Sequence, residues 1–425
     1  MQARPKVLIL GGGFAGTETA TYLRWKAGDR VDITVVSAES EFLFRPNTIY
    51  IPFGLDVRKL KFPLGRALAK KQIEFIHGTA TVVDPDARTV EVQPAQGGSE
   101  QHSYDYLVIA TGAGIVPEEV PGLAEHAYTP WTPDEMSRLG AGFNGLLEKA
   151  KRGERSKALF LIPPNNRCSG PLYELVFMFD TWLRRKKARD WVTISWTTSE
   201  KSYIQAFGPK TNEHVTPEFA RRGIDAHTEW VVEHVEPDAV HYTNSEVMEY
   251  DLLATFPPYK GGREYPGLPT DPRGYLITDD LGTRRLKDHP EICVPGDAGD
   301  FPVKQAFLAF LEADGVAAHL AQEVTGEAAG YAFDPISMCV MEQMDRALFA
   351  QVPLTLTGDP AAPVAIRPGS DAIYKIGEGR VWRLGKVALG YYLPFRFKAG
   401  EPFHAGAPWT AMETVLKGMA AVLAR

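Results

Sequence analysis

The sequence predicts an α/β protein: two Rossmann-like, doubly wound domains followed by a C-terminal segment that carries an amphipathic helix. Three observations predict it. Near the N-terminus, in KVLILGGGFAGTETATYLRW, an apolar strand opens directly into a glycine-rich turn and a helical run. A second strand–loop–helix recurs downstream, KALFLIPP running into NNRCSGPLYE and then LVFMFDTWL. The final stretch, APWTAMETVLKGMAAVLAR, places apolar residues at helical spacing.

Size and composition fit this class. A chain of 425 residues can bury two or three cores, and 44% hydrophobic with 23% charged residues is ordinary globular composition. The net charge of −7 argues against nucleic acid as a partner. No apolar run approaches the roughly 18 residues of a spanning helix. The apolar VLIL is too short for the core of a signal peptide, so a cytoplasmic location is expected. Three cysteines, Cys168, Cys293 and Cys339, are too few for a disulfide framework; in a reducing compartment each is either chemically active or buried. No metal-ligand spacing stands out.

The first turn holds Gly11, Gly13 and Gly16 at GxGxxG spacing, with Phe14 and Ala15 between them. Glycines there let the backbone turn tightly and approach a pyrophosphate at a helix N-terminus, where the helix dipole favours negative charge. The next strand, VDITVVSAES, should end on an acid for the ribose; it ends on Ser37, with Glu39 two residues later. YDYLVIATG ends a buried strand on Thr111–Gly112, and EICVPGDAG ends another on Gly296–Asp297, where a carboxylate or backbone N–H can reach a ribityl chain lying across the sheet ends. Together the three motifs resemble the disulfide-reductase-like, two-dinucleotide-domain flavoproteins. That resemblance implies FAD, with residues 1–117 and 269–330 forming a discontinuous FAD-binding domain, 118–268 a second Rossmann-like domain, and 331–425 a C-terminal region.

The second loop is not a phosphate cradle. NNRCSGPLYE lacks GxGxxG, which argues against an NADH site. It places Cys168 just ahead of a helix with Pro171 suited to its first turn; the helix dipole and Arg167 are expected to favour the thiolate, the alternative being a buried loop cysteine. Cys339, in ISMCVMEQMDRAL, follows the end of the flavin domain, where this architecture returns the chain toward the isoalloxazine. Cys293 lies within a strand and reads as a small buried hydrophobe.

The chain resembles the sulfide:quinone oxidoreductase family, which includes the flavin subunit of flavocytochrome c sulfide dehydrogenase. The resemblance is carried by ITVVSAESEFLFRPNTIY, by CSGPLYE with Pro171 and Glu174, by LLATFPPYKG with Pro257–Pro258, by FPVKQAF with Lys304, and by SMCVME. It implies a Cys168–Cys339 redox pair that oxidises sulfide to sulfane sulfur or polysulfide and passes electrons through FAD to a quinone. Glu174 is implied as a proton carrier, or else as a carboxylate stabilised by its helix dipole; Lys304 supports the anionic reduced flavin, or else forms a surface ion pair. The implied FAD site comprises Gly11, Gly13, Phe14, Ala15, Gly16, Ser37, Glu39, Arg45, Asn47, Ala80, Thr111, Gly112, Gly296, Asp297 and Lys304. Two departures matter. The third cysteine of many quinone-linked members is absent, its place taken by Pro130 or Trp131, so a two-cysteine mechanism is expected. FLFRPN holds no cysteine, so FAD should be non-covalent.

At the acceptor end, RLGKVALGYYLPFRFKAGEPF offers Tyr391, Tyr392 and Phe395 as quinone-wall residues, amid Arg383, Lys386, Arg396 and Lys398. The last helix aligns Trp409, Met412, Leu416, Met419, Ala420 and Leu423, widened by Val415 and Val422, opposite Thr410, Glu413, Thr414, Lys417 and Arg425. Such a stripe either packs on the protein or docks peripherally on the cytoplasmic face of a membrane. A second basic run, WLRRKKARDW, reads as a solvated helix end, with anionic lipid the alternative. Homo-oligomerisation stays open. Competing functions are a soluble polysulfide or persulfide oxidoreductase, a type II NADH:quinone oxidoreductase, and a non-catalytic flavin-binding redox sensor.

Overall fold

The protein is described by a computed structural model covering residues 4–360 and 362–424; Arg425 lies outside the described residues. Its largest sheet has eight strands. Arg285–Leu286, His289–Cys293, Tyr106–Ile109, Lys6–Leu10, Asp32–Ser37 and Glu74–Asp84 lie side by side in that order, and Thr89–Pro94 and Glu100–Ser103 extend one edge. The inner five strands, from His289–Cys293 to Glu74–Asp84, pair in parallel. Val7 to Leu10 are almost fully buried, as expected of a central parallel strand covered on both faces. On one face the helices Phe14–Ala27 and Ala306–Thr325 pack along each other through small side chains, among them Ala20, Ala309, Ala313 and Ala317.

A second, four-stranded parallel sheet runs Asp225–His227, Val192–Thr198, Ser156–Ile162, Leu252–Thr255. The helices Pro133–Lys151, Gly170–Arg185 and Gly208–Arg222 belong to the same segment of the chain. Aromatic side chains fill the space between helix and sheet: Phe143 stacks on Phe179 at 4.1 Å, and Tyr173 meets Trp196 at 4.1 Å. The chain passes between the two sheets twice, and both passages are zipped together where Ala113–Ile115 pairs antiparallel with Tyr259–Gly261.

The C-terminal region holds an antiparallel sheet that the sequence reading did not assign. Ile336–Glu342, Val364–Ile366 and Lys375–Gly379 all pair with Ala347–Leu356. Most of ALFAQVPLTL is buried, so the alternation that would reveal a strand is absent. The helices Arg380–Ala399 and Ala407–Leu423 follow. On the last helix Trp409, Leu416 and Ala420 pack inward, whereas Val415, Val422 and Leu423 are exposed, so the predicted stripe divides between the protein and the outside. The basic run is not simply a solvated helix end. Arg184 and Arg189 both bind the fully buried Asp180, which Arg222 also contacts, while Lys186 and Lys187 are exposed. Among the described residues no helix is long and apolar enough to cross a membrane.

Candidate functional site

A cavity of about 990 Å³ opens where the ends of the two parallel sheets meet the C-terminal region. Its first wall is the glycine turn. Gly11 has φ +115°, and a side chain on it would meet the Ala110 carbonyl oxygen at 2.3 Å. A side chain on Gly16 would meet the Gly11 carbonyl oxygen at 1.9 Å, so Gly16 serves the close approach of helix to strand and does not line the cavity. Gly13 lines it, and a Cβ there would have no atom within 4 Å. An open space beside backbone N–H groups at the start of a long helix is the cradle a pyrophosphate requires, so these residues fit a dinucleotide.

Phe14, Ala15, Ser37, Glu39, Arg45, Asn47, Ala80, Thr111, Gly112, Asp297 and Lys304 also line the cavity. The Ser37 hydroxyl accepts from the Glu39 N–H at 3.2 Å, which organises the turn where relatives were expected to carry an acid. Gly296 does not line it. Its N–H donates to Glu312 at 2.8 Å, and its φ of +76° with Ala15 close by explains the glycine by packing.

Lys304 is no surface ion pair. It is 3% exposed, its ammonium lies 4.1 Å from the centre of the Tyr275 ring, and it donates to the Gly299 carbonyl. Burial pulls it down to about 8, opposed by Asp297. Burial raises Asp297 in turn, with Lys304 and Arg45 opposing.

Cys168 and Cys339 both line this cavity, as free thiols. Cys168 precedes the helix Gly170–Arg185, and its backbone N–H donates to Asn166 Oδ1 at 2.9 Å. Asn166 is itself anchored to the Phe256 carbonyl at 2.9 Å, just before Pro257–Pro258. Cys339 lies on Ile336–Glu342 opposite Ala350. Against the expected thiolate at Cys168, burial pushes the thiol well up, reinforced by the charges of Asp297, Cys339 and Glu174. Burial pushes Cys339 up to about 12, helped by Glu174 and opposed by Lys386 and a hydrogen bond from Gln305. Cys293 is fully buried in its strand and does not line the cavity.

Glu174 lines the cavity, buried, paired with Lys386 and accepting from the Glu342 N–H at 2.6 Å. Lys386 also donates to the Val340 carbonyl at 2.8 Å, bracketing Cys339. Burial raises Glu174 despite that partner. A parallel pair, Glu342 with Arg383 and the Tyr50 hydroxyl, ties the same strand to the helix Arg380–Ala399. By residue type Lys386 reads only as part of a basic segment. Its role is visible in helical phase: Lys386, Leu389, Gly390 and Leu393 line the cavity at i, i+3, i+4 and i+7. By the same phase the three quinone-wall residues do not line it. Tyr391 and Phe395 are 78% and 69% exposed, and Tyr392 turns its ring toward Trp409.

Sequence reasoning also missed Gln305 and Glu200. Gln305 accepts from Ser337 Oγ at 2.8 Å and donates to the Met338 carbonyl at 3.2 Å; its adjacency to Lys304 was the available signal. Glu200 lines the cavity after Val192–Thr198, where a second nucleotide's ribose acid would stand. It accepts from Thr198 at 3.0 Å, the Gln205 N–H at 3.0 Å and the Tyr173 hydroxyl at 3.3 Å, and burial raises it to about 7.

Residues 5–144 match the family described as pyridine nucleotide-disulphide oxidoreductase. The sulfide-quinone reductase of Aquifex aeolicus is 31% identical over 263 residues, which is 59% of this chain and 56% of that protein. The mitochondrial sulfide:quinone oxidoreductase of Dictyostelium discoideum is 23% identical over 317 residues, 72% of this chain and 67% of that protein. The match thus spans little more than half of the Aquifex relative's sequence and about two thirds of the Dictyostelium one. The X-ray structure of the Aquifex aeolicus sulfide:quinone oxidoreductase shares the fold, with a TM-score of 0.81 at 23% identity over 99% of this chain and 96% of that one.

Proposed function

We propose that the chain is a flavin-dependent member of the sulfide:quinone oxidoreductase family, which oxidises sulfide to sulfane sulfur or polysulfide and passes the electrons through non-covalent FAD to a quinone. One observation carries this reading: two cysteines from distant parts of the sequence line a single cavity together with a dinucleotide turn and a buried lysine. FAD, when bound, supplies the two-electron acceptor for the thiols and the one- or two-electron donor for the quinone.

The chain's own residues have the following parts. Gly11 and Gly13 with the helix N-terminus of Phe14–Ala27 would hold the pyrophosphate, and Asp297 and Thr111, which line the same cavity, would hold the ribityl chain. Lys304 provides positive charge where reduced flavin becomes anionic. Cys168 and Cys339, oxidised to a disulfide, would be opened by HS⁻, which bonds to one sulfur as a persulfide and releases the other as thiolate; closure of that thiolate onto the persulfide's outer sulfur gives a trisulfide and frees one proton and the two electrons that bound FAD would accept. Glu174 takes up or returns the proton of the departing sulfur, with Lys386 holding its carboxylate in place.

On this reading residues 1–117 and 269–330 form the FAD unit, 118–268 the cysteine-bearing unit and 331–425 the acceptor unit. The exposed Leu384, Tyr391 and Phe395 on one helix, with Val415, Val422 and Leu423 on the next, support a peripheral membrane contact.

The test is spectroscopic. Sulfide added anaerobically to the oxidised yellow protein should bleach the flavin, NADH should not, and a soluble quinone analogue should restore the colour. Bleaching by NADH alone would overturn the proposal in favour of an NADH:quinone oxidoreductase.

A further inference from the structure

Behind the cavity is a buried cluster to which no part of the reaction has yet been assigned. Glu18 comes from the helix Phe14–Ala27, Asp314 from the helix Ala306–Thr325, and His404 from the turn between the last two helices. Glu18 and Asp314 are 0% and 4% exposed. His404 Nδ1 meets Asp314 Oδ2 at 2.6 Å. The two Glu18 oxygens accept from the Phe403 N–H at 2.7 Å and the His404 N–H at 3.0 Å. The other Asp314 oxygen, Oδ1, is fully buried with no hydrogen-bond partner among the described residues, and the Glu18 carboxyl is close enough for the two charges to act on each other. Two buried carboxyls can share a site only if one carries a proton. Burial raises both carboxyls, and the Asp314 charge raises Glu18 further, so the pair holds one proton and one negative charge. His404 then presents its second nitrogen, Nε2, which has no hydrogen-bond partner among the described residues, on a ring that lines the cavity. Its neighbours there are Phe307, Phe310 and Trp409, an apolar environment suited to a flat, largely apolar acceptor.

We propose that His404 is the proton donor on the acceptor side of the cavity, oriented through Nδ1 by Asp314 and compensated in charge by the Glu18–Asp314 pair. The inference rests on the quinone-reductase reading. The step balances as quinone plus two electrons, supplied through the flavin, plus two protons, giving quinol: one proton leaves His404 Nε2 and the other comes from water, and His404 is reprotonated from water. With Nε2 protonated the imidazolium offsets the one negative charge of the Glu18–Asp314 pair, so a proton can be stored there with its charge compensated. Asp314 and Glu18 are positioning residues. Also facing the cluster are Tyr331, Lys26 and Tyr22 from the first helix, Glu413 and Lys417 from the last helix, and Tyr392 with the buried Arg396, which donates to the Pro402 and Ala405 carbonyls on either side of His404. Burial holds His404 below the usual histidine range, with Glu18 and Glu413 opposing, so proton donation weakens as pH rises.

The experiment compares the FAD-loaded full chain with His404→Gln and Asp314→Asn by stopped flow. The protein is reduced with dithionite, which needs no cysteine chemistry, and reoxidised either by a soluble quinone analogue, which takes protons, or by ferricyanide, which takes none. The expected result is a loss of about tenfold or more in quinone reoxidation for His404→Gln, disappearance of the fall in rate with rising pH, and unchanged ferricyanide reoxidation. Equal slowing by both acceptors means a structural role and overturns the proposal, as does an unchanged quinone rate and pH profile. Should His404→Gln not fold, ¹⁵N histidine spectra of the native holoprotein decide: Nδ1 protonated throughout with Nε2 titrating is expected, and an Nε2 that never titrates refutes it. Failure of sulfide to bleach the native protein would sink the substrate assignment alone, since the dithionite arm is independent of it.

Discussion

The loop at Gly11–Gly16 and the loop at Pro163–Ser169 occupy equivalent places, each between a buried parallel strand and a long helix, and they do opposite things. In the first, the side chains have been removed. Gly13 leaves open space and Gly11 and Gly16 remove clashes of 2.3 and 1.9 Å, so backbone N–H groups face a ligand. In the second, side chains fill the same position: Asn166 caps the Cys168 N–H and pins the loop to Phe256 and Pro257, and a thiol takes the place of a phosphate. A strand–loop–helix therefore specifies a position at the sheet ends, and the composition of the loop decides whether that position binds a nucleotide or carries a reactive group.

Substitutions in the two loops should separate. Cys168→Ser or Cys339→Ser should lower the rate of flavin bleaching by sulfide by about a thousandfold or more with FAD content unchanged. A smaller loss in either would mean that the thiol concerned is merely structural. Lys386→Met leaves Glu174 buried without its cation and should cost about 3–5 kcal/mol, read as a lower thermal midpoint; the double variant with Glu174→Gln should recover much of it. Gly16→Val forces a clash costing about 1–3 kcal/mol, so FAD occupancy should fall about tenfold in the visible-to-ultraviolet absorbance ratio while both cysteines stay titratable. Lys304→Gln should slow flavin reduction about tenfold. In the native protein that support should fade as pH rises through about 8, because the buried ammonium loses its proton there. The sign for stability is the reverse: the folded state binds fewer protons than the unfolded chain between that value and the ordinary lysine range, so this group's contribution to stability rises with pH across the window. The smallest effect is expected at the surface, where Phe395→Glu should weaken co-sedimentation with anionic vesicles by a fewfold and leave soluble-quinone turnover intact.

Much of the flavin half was legible because its signals are local. The GxGxxG turn, Thr111–Gly112 and the strand before Asp297 each declare themselves within ten residues. The acceptor half was less so. Tyr391, Tyr392 and Phe395 were chosen by residue type, yet helical phase turns them away from the cavity and brings Lys386, Leu389 and Leu393 to it. Cys168 was expected as a thiolate from its place before a helix, but the negative groups around it come from Asp297 and Glu174, one of them far away in sequence.

By itself the sequence determined the two strand–loop–helix units, the spacing of the glycines, the absence of a glycine cradle at the second loop and the identity of the two cysteines, because each depends on backbone sterics or residue chemistry over a short span. Only the tertiary structure decided that Cys168 and Cys339 line one cavity, that Glu174 and Lys386 form a buried pair, and that Glu18, Asp314 and His404 meet behind it. Those depend on distances between segments hundreds of residues apart, and on a low dielectric that no single segment creates alone.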